Sequence, residues 1–298
     1  MKAILMAIAL LVIGFVLLIK GADYFVDGSS AVAKKLKVPS LIIGFTIVAM
    51  GTSLPECAVS VAASVTNNNA LAVSNAVGSN IFNLMVVCGI CALIVPLTVQ
   101  IETLKKEFPF SVFCALLLLV LGYWEMNLGR MEGIILIVIF ACYLLWMIFS
   151  ALKARREAGE EEIDTFPAWK CIVYIIGGAA AIKFGGDFVV DGATMVARSF
   201  GLTQTLIGLT VVAVGTSLPE LVTSIVAAKK NELDMAVGNV VGSNIFNILL
   251  VNVVDIVILV GFSIVVWLMA WTKKRLSRRE GIIMLLLYLG YMVYICMR

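Results

Sequence analysis

Long apolar runs separated by short polar breaks fill nearly the whole chain, at 3–31, 40–65, 70–97, 109–123, 131–151, 169–197, 204–228, 235–251, 252–271 and 280–297. A helix needs about 20 residues to cross a bilayer, and most of these runs approach or exceed that length without the alternation of a strand. The pattern predicts an all-α polytopic membrane protein with ten transmembrane helices. The first run could pass for a leader peptide, but it lacks a small-residue cleavage site and continues into Lys20, Asp23 and Asp27. It reads as the first span.

The runs repeat. Gly51-Thr52-Ser53-Leu54-Pro55-Glu56 returns letter for letter as Gly215-Thr216-Ser217-Leu218-Pro219-Glu220, 164 positions later. At the same offset Gly21 to Gly28 pairs with Gly185 to Gly192, and Gly78-Ser79-Asn80-Ile81-Phe82-Asn83 returns unchanged as Gly242 to Asn247. The first five spans therefore repeat as the second five. An odd number of spans per repeat forces the two halves into opposite orientations, an inverted-topology repeat. The expected divisions are a first half over 1–151, a linker over 152–166 and a second half over 167–298.

Basic residues agree with this folding of the chain. Sixteen of the 22 lysines and arginines, among them Lys34, Lys35, Lys105, Lys153, Lys230 and Arg278, fall in loops of one predicted side. By the positive-inside rule that side is cytoplasmic, which places both termini outside a cell's inner membrane. One irregularity stands out: the offset falls from 164 at Asn83/Asn247 to 148 at Glu132/Glu280, so the second half is 16 residues short after Val251. Either the chain turns very tightly there or a segment is missing. Omission is the expectation, and an intact mass well above 32.1 kDa would support it.

Composition removes most other classes. With 62% hydrophobic residues and a mean hydropathy of +1.08, the chain is too apolar for a soluble domain. The net charge of +3 gives nucleic-acid binding no support. The absence of histidine removes histidine-based triads, common zinc sites and histidine proton relays. Cys88-Gly-Ile-Cys91 has a CxxC spacing, but cysteines within spans are mostly small buried hydrophobes.

The repeated hexapeptides carry the chemistry. A carboxylate at membrane depth is costly enough that Glu56 and Glu220 read as functional. Pro55 has no N–H for the carbonyl of Gly51, so the span should kink or break at Gly51-Thr52-Ser53 and free backbone oxygens. Thr52, Ser53 and Glu56 share one helical face. On the next span Asn75, Ser79 and Asn83 form a polar stripe, as do Asn239, Ser243 and Asn247. Gly78 and Gly242, each one turn after a small residue, predict close helix packing. An all-oxygen site of this kind suits a hard cation, above all Ca²⁺. Two glutamates balance one Ca²⁺ or two Na⁺, or can carry two protons instead. Asp23, Asp27, Asp187 and Asp191 are read as ion-paired, with Lys20 and Lys183 within helical reach, and stay outside the site.

These motifs resemble the sodium/calcium exchanger superfamily of cation/Ca²⁺ antiporters, whose two alpha-repeats carry G-T-S-L-P-E followed by a G-N-x-x-G-S-N-like segment. The resemblance covers essentially the whole chain. It implies ten spans, with the first and sixth sliding as a pair over the other eight. It makes Glu56 and Glu220 the central ligands shared by Ca²⁺ and Na⁺, with Thr52, Ser53, Thr216, Ser217, Ser79 and Ser243 adding oxygens. The carbonyls of Ala49 and Ala213 would cap flanking Na⁺ positions, and Asn83 and Asn247 would sit at the centre. No cofactor is implied beyond the transported ions; the lipid bilayer is the surroundings, and a monomer suffices.

The chain departs from several relatives in one respect, carrying Asn at both 83 and 247 where they have one Asp. The expected function is Ca²⁺/Na⁺ antiport by alternating access, with a Ca²⁺/H⁺ antiporter using the same glutamates as the alternative. A passive cation channel is a reading from another class. An intramembrane enzyme is another, but without histidine, a GxSxG elbow or an aspartate dyad there is no catalytic residue to name.

Overall fold

The computed structural model describes residues 2–65, 69–123, 130–157, 166–202, 211, 213–249 and 256–297, nearly all of them helical. Helix α1 (Lys2–Leu36) is followed by a composite helix made of α2 (Ser40–Ile43), a π-helical turn (Gly44–Val48) and α3 (Ala49–Thr52). Then come α4 (Leu54–Val65), α5 (Asn69–Phe82), a second π turn (Asn83–Val87) and α6 (Cys88–Ile94). A third π turn (Thr103–Glu107) leads into α7 (Phe108–Tyr123), and α8 (Arg130–Glu157) closes the first half. The second half holds α9 (Ala168–Ser199), α10 (Ala213–Thr216), α11 (Leu218–Lys229), α12 (Leu233–Ile248), α13 (Ile256–Lys273) and α14 (Arg278–Met297). Two short strands, β1 (Leu97–Thr98) and β2 (Arg275–Leu276), pair antiparallel and tie the two halves together.

Every predicted apolar run overlaps one of these helices. Among the described residues four helices are individually long and apolar enough to cross a membrane, and a fifth span results if the bent pair Ser40–Thr52 and Leu54–Ala63 counts as one. Helix α8 runs to Glu157, so the first half extends into the predicted linker. The rest of that linker, at 158–165, lies outside the described residues, as does the expected gap after Val251. The asymmetry around that gap is visible all the same. Helix α5 continues through its π turn into α6 as far as Ile94, whereas α12 ends at Ile248, one residue beyond Asn247.

Helices α1 and α9 are packed against each other along their length. A Cβ on Gly21 would lie 2.9 Å from the Gly178 carbonyl, and one on Gly178 would lie 2.8 Å from the Gly21 carbonyl. Seven residues away Gly14 meets Gly185 in the same way. Numbers rise on one helix as they fall on the other, so the pair is antiparallel, as inverted repeats require. Glycine at these positions lets the backbones touch, which is how helices gain contact where the solvent is itself apolar.

The predicted close packing at the second small-residue face is also present. A Cβ on Gly242 would lie 2.8 Å from Phe45 Cα, and one on Gly238 would lie 2.7 Å from the Leu41 carbonyl. At Gly78 that packing is not seen: among the described residues a Cβ there would meet nothing within 4 Å.

The aspartates pair partly as expected. Lys183 meets Asp187 at 2.5 Å. Asp23, however, pairs across helices: Lys230, at the end of α11, lies 2.6 Å from both Asp23 and Asp27. Because the two aspartates are one turn apart on α1, a single ammonium from another element can serve both, and the bridge runs between helices rather than along one. Ser30 on α1 donates a hydrogen bond to Glu232 beside it.

Candidate functional site

The two hexapeptides break their helices in the same way. Ser53 and Ser217 sit between helical segments with φ/ψ of −86°/8° and −93°/5°. Pro55 and Pro219 follow in the first turn of α4 and α11, where a missing N–H does least harm. The carbonyls of Gly51 and Gly215 thereby lose their usual donor four residues on. In the first repeat the helix turns by 49° at this point. Hydrogen bonds resume at once, from Cys57 N to Ser53 O at 3.0 Å and from Leu221 N to Ser217 O at 3.2 Å.

The breaks bring the two glutamates and both serines together in the interior. Ser53 Oγ donates to Glu220 Oε1 at 2.7 Å. In mirror fashion Ser217 Oγ donates to Glu56 Oε1 at 3.2 Å. Each glutamate is thus met by the serine of the opposite repeat. Ser79 Oγ lies 3.3 Å from Glu56 Oε1 and 2.9 Å from Ser217 Oγ. Asn247 Nδ2 reaches Ser79 Oγ at 3.4 Å. The Ala49 carbonyl accepts from Ser243 at 3.4 Å and lies 3.3 Å from Thr52 Oγ1. Glu56 and Glu220 are 1% and 0% exposed, which shields them from bulk solvent.

This network joins Ala49, Thr52, Ser53, Glu56, Ser79, Ser217, Glu220, Ser243 and Asn247. Asn83 is fully buried one turn beyond Ser79, at the start of the second π turn. Thr216 ends α10 half-buried, and Ala213, whose side chain is not described, begins the same turn. Among the described residues Glu56 Oε2, Glu220 Oε2, Asn247 Oδ1 and both amide atoms of Asn83 lack a protein partner. Buried polar groups ordinarily find one, and a buried charge demands it. A cation would satisfy the acceptors together. The described residues hold no cluster of three His, Cys, Asp or Glu side chains, so such a cation would be held by two carboxylates and neutral oxygens.

Two asparagines expected among the ligands turn instead onto backbone, and two serines beside them had no role in the sequence reading. Asn75 Nδ2 donates to the Glu56 carbonyl at 3.1 Å and to Ser60 Oγ at 3.3 Å. Asn239 Nδ2 does the same to the Glu220 carbonyl at 3.4 Å and Ser224 Oγ at 2.9 Å. The sequence placed both asparagines on the polar stripe with the ligands; Ser60 and Ser224 were missed, although they recur at the repeat offset four residues after each glutamate. Deeper still, Asn80 Nδ2 donates to the Asn244 carbonyl at 3.0 Å and Asn244 Nδ2 to the Asn80 carbonyl at 3.3 Å. Cys88 and Cys91 are buried free thiols.

Comparison with known proteins gives consistent results. The family described as sodium/calcium exchanger protein matches residues 6–149 and 170–258. The inner membrane protein YrbG of Escherichia coli strain K12 is 38% identical over 83% of this chain and 78% of its own length. The sodium/calcium exchanger MaX1 of Methanosarcina acetivorans is 29% identical over 95% of this chain and 97% of its own. A solved structure of the sodium-calcium exchanger NCX_Mj, soaked with Na⁺ and Sr²⁺, superposes with a TM-score of 0.85 at 30% identity, covering 97% of this chain and 98% of that one.

Proposed function

Since the chain belongs to the sodium/calcium exchanger protein family, we propose that it exchanges Ca²⁺ for Na⁺ across a membrane, with Glu56 and Glu220 as the central ligands of both ions. The observation that carries this reading is the pair of buried glutamates, each bound through one oxygen to the serine of the opposite repeat and each with its second oxygen unpartnered among the described residues. Two carboxylates balance one Ca²⁺ or two Na⁺, so the ions compete for the same two negative charges. Ca²⁺ takes about 6–8 oxygens; Thr52, Ser53, Thr216, Ser217, Ser79, Ser243, Asn83 and Asn247, with the carbonyls of Ala49 and Ala213, are the further donors of this reading.

Residues 1–151 and 167–298 act in this proposal as two inverted repeats of five spans each, sufficient as a monomer. The basic face is cytoplasmic and the termini lie outside. Access would alternate as the α1–α9 pair shifts over the two breaks. In support, the Phe25 ring of α1 would meet a Cβ on Gly51 at 2.7 Å, and Val190 of α9 crowds Gly215 in the same manner.

One observation favours a second reading, Ca²⁺/H⁺ exchange: asparagine at both 83 and 247 leaves only two carboxylates in the site. The deciding experiment is radioactive Ca²⁺ uptake into proteoliposomes, driven in parallel by outward Na⁺ and outward H⁺ gradients with the membrane potential clamped. Uptake with Na⁺ alone is expected. Uptake with H⁺ alone would establish the second reading, and uptake with neither would overturn both.

A further inference from the structure

The side chains of Asn75 and Asn239 sit beside the glutamates but bond to their backbone. A peptide carbonyl can only accept, so the atom facing Glu56 O and Glu220 O has to be the amide nitrogen of each asparagine. Each Nδ2 has two hydrogens and two acceptors in reach: the glutamate carbonyl at 3.1 Å or 3.4 Å, and the serine hydroxyl one turn further along at 3.3 Å or 2.9 Å. Both donors are therefore committed, in both repeats, to the turn that carries the glutamate.

That turn needs holding. Glu56 and Glu220 are each the third residue of a helix that starts at a break, and helix ends are where backbone bonds are fewest and fraying begins. Asn75 and Asn239 belong to the neighbouring helices α5 and α12, one turn before Ser79 and Ser243. The amide bridge thus fixes the glutamate turn against the helix that supplies the other oxygens. Asn239 extends the tie further, because its Oδ1 accepts from Thr52 Oγ1 of the opposite repeat at 3.0 Å.

We infer that Asn75 and Asn239 are positioning residues that hold Glu56 and Glu220 in register for a divalent cation, and so set the preference for Ca²⁺ over Na⁺. The inference rests on the two glutamates being the ion ligands. Ca²⁺ needs both carboxylates to converge on one point together with several neutral oxygens. A monovalent ion can be held by one carboxylate and its nearest neutral oxygens. Loosening either glutamate turn therefore weakens the divalent ion more than the monovalent one.

The test uses the purified full chain, with Asn75→Leu and Asn239→Leu, which keep side-chain size and remove the amide. Asn75→Ser and Asn239→Ser, polar but too short to reach the carbonyl, stand in for either leucine variant if it does not fold. Equilibrium binding of radioactive Ca²⁺ and, separately, radioactive Na⁺ gives the two half-saturation concentrations, and thermal unfolding without either ion reports folding. The loss of one buried hydrogen bond corresponds to about tenfold, so half-saturation by Ca²⁺ should rise about tenfold while that by Na⁺ moves less than about threefold.

Unchanged Ca²⁺ affinity in folded variants of both positions would overturn the inference, and so would an equal loss for both ions, which is what a merely structural role gives. Glu56→Gln and Glu220→Gln run alongside. If these retain Ca²⁺ binding, the ligand reading itself fails. If they lose it while the asparagine variants keep wild-type selectivity, only the positioning role fails.

Discussion

Ser53 Oγ lies 2.7 Å from Glu220 Oε1, although the two residues are 167 positions apart and belong to different repeats. The reciprocal bond joins Ser217 to Glu56 at 3.2 Å. Neither repeat completes its own glutamate. In the proposed exchanger, Ser53→Ala therefore acts on Glu220, and Ser217→Ala on Glu56. Each substitution removes a hydroxyl bonded to a charged group and should raise half-saturation by Ca²⁺ about tenfold or more, measured by Ca²⁺ binding to the purified variants. Unaltered affinity in both would remove the crossed serines from the site.

Glu56→Gln and Glu220→Gln keep the shape of the side chain and remove one of the two charges that, in the proposed exchanger, balance Ca²⁺. Each should abolish Na⁺-driven Ca²⁺ uptake in proteoliposomes, a fall of at least about a hundredfold, since a divalent ion would be left with one negative partner in an interior where compensation by water is absent.

Asn247→Asp adds a carboxylate where Asn247 Oδ1 is buried without a partner among the described residues. If Asn247 lines the site, the change should tighten Na⁺ or Ca²⁺ binding by about tenfold, the scale of one added charge interaction of about 1.4 kcal/mol. Binding isotherms at fixed ionic strength check it, and identical affinities would place the residue outside the ion's reach.

Lys230 joins α1 to the end of α11 through Asp23 and Asp27. Desolvation pulls the ammonium's affinity for its proton down, but the bonds to the two aspartates more than offset this and hold Lys230 above the usual lysine range. The stabilisation is thus complete below about pH 10 and is lost only as the pH climbs through the raised value. At working pH a substitution is the practical probe. Lys230→Gln should lower unfolding stability by about 1 kcal/mol, a modest figure because the group is part-exposed; denaturation of the purified protein measures it.

Gly178→Val tests the antiparallel helix pair. A Cβ at Gly178 would meet the Gly21 carbonyl at 2.8 Å, and backbone cannot step aside as a side chain can. Overpacking of this kind costs about 1–3 kcal/mol, read as a lower unfolding midpoint and a smaller monodisperse fraction after purification. Full stability would mean that α1 and α9 part easily.

The residues that made the fold legible were those acting locally. Pro55 and Pro219 break their helices by lacking an N–H, and the identical letters around them announce a repeat whatever the rest of the chain does. Ser53 and Glu220 could not be paired from sequence, because their contact depends on how two halves meet across the interior. Asn75 and Asn239 fell on the right stripe, yet only the geometry shows them turned onto a carbonyl. Asp23 stands within reach of Lys20 along one helix, but the partner it meets in space is Lys230, from 207 positions away. The π turns at Gly44–Val48 and Asn83–Val87 left no compositional mark, since they follow from packing rather than propensity.

The crossed amides of Asn80 and Asn244, each donating to the other's backbone, have the form of an isologous interface, in which residue i meets j and j meets i. A half-length chain meeting its own inverted copy would make the same pair of bonds, so the covalent join adds no contact at that point. What it adds is the freedom for the halves to diverge. Lys230 clamps two aspartates on one face of the molecule, while the residue 164 positions earlier in the sequence is Thr66, which carries no charge. Two identical subunits could never differ in this way, and a protein built from one chain can therefore brace its two faces with unequal strength.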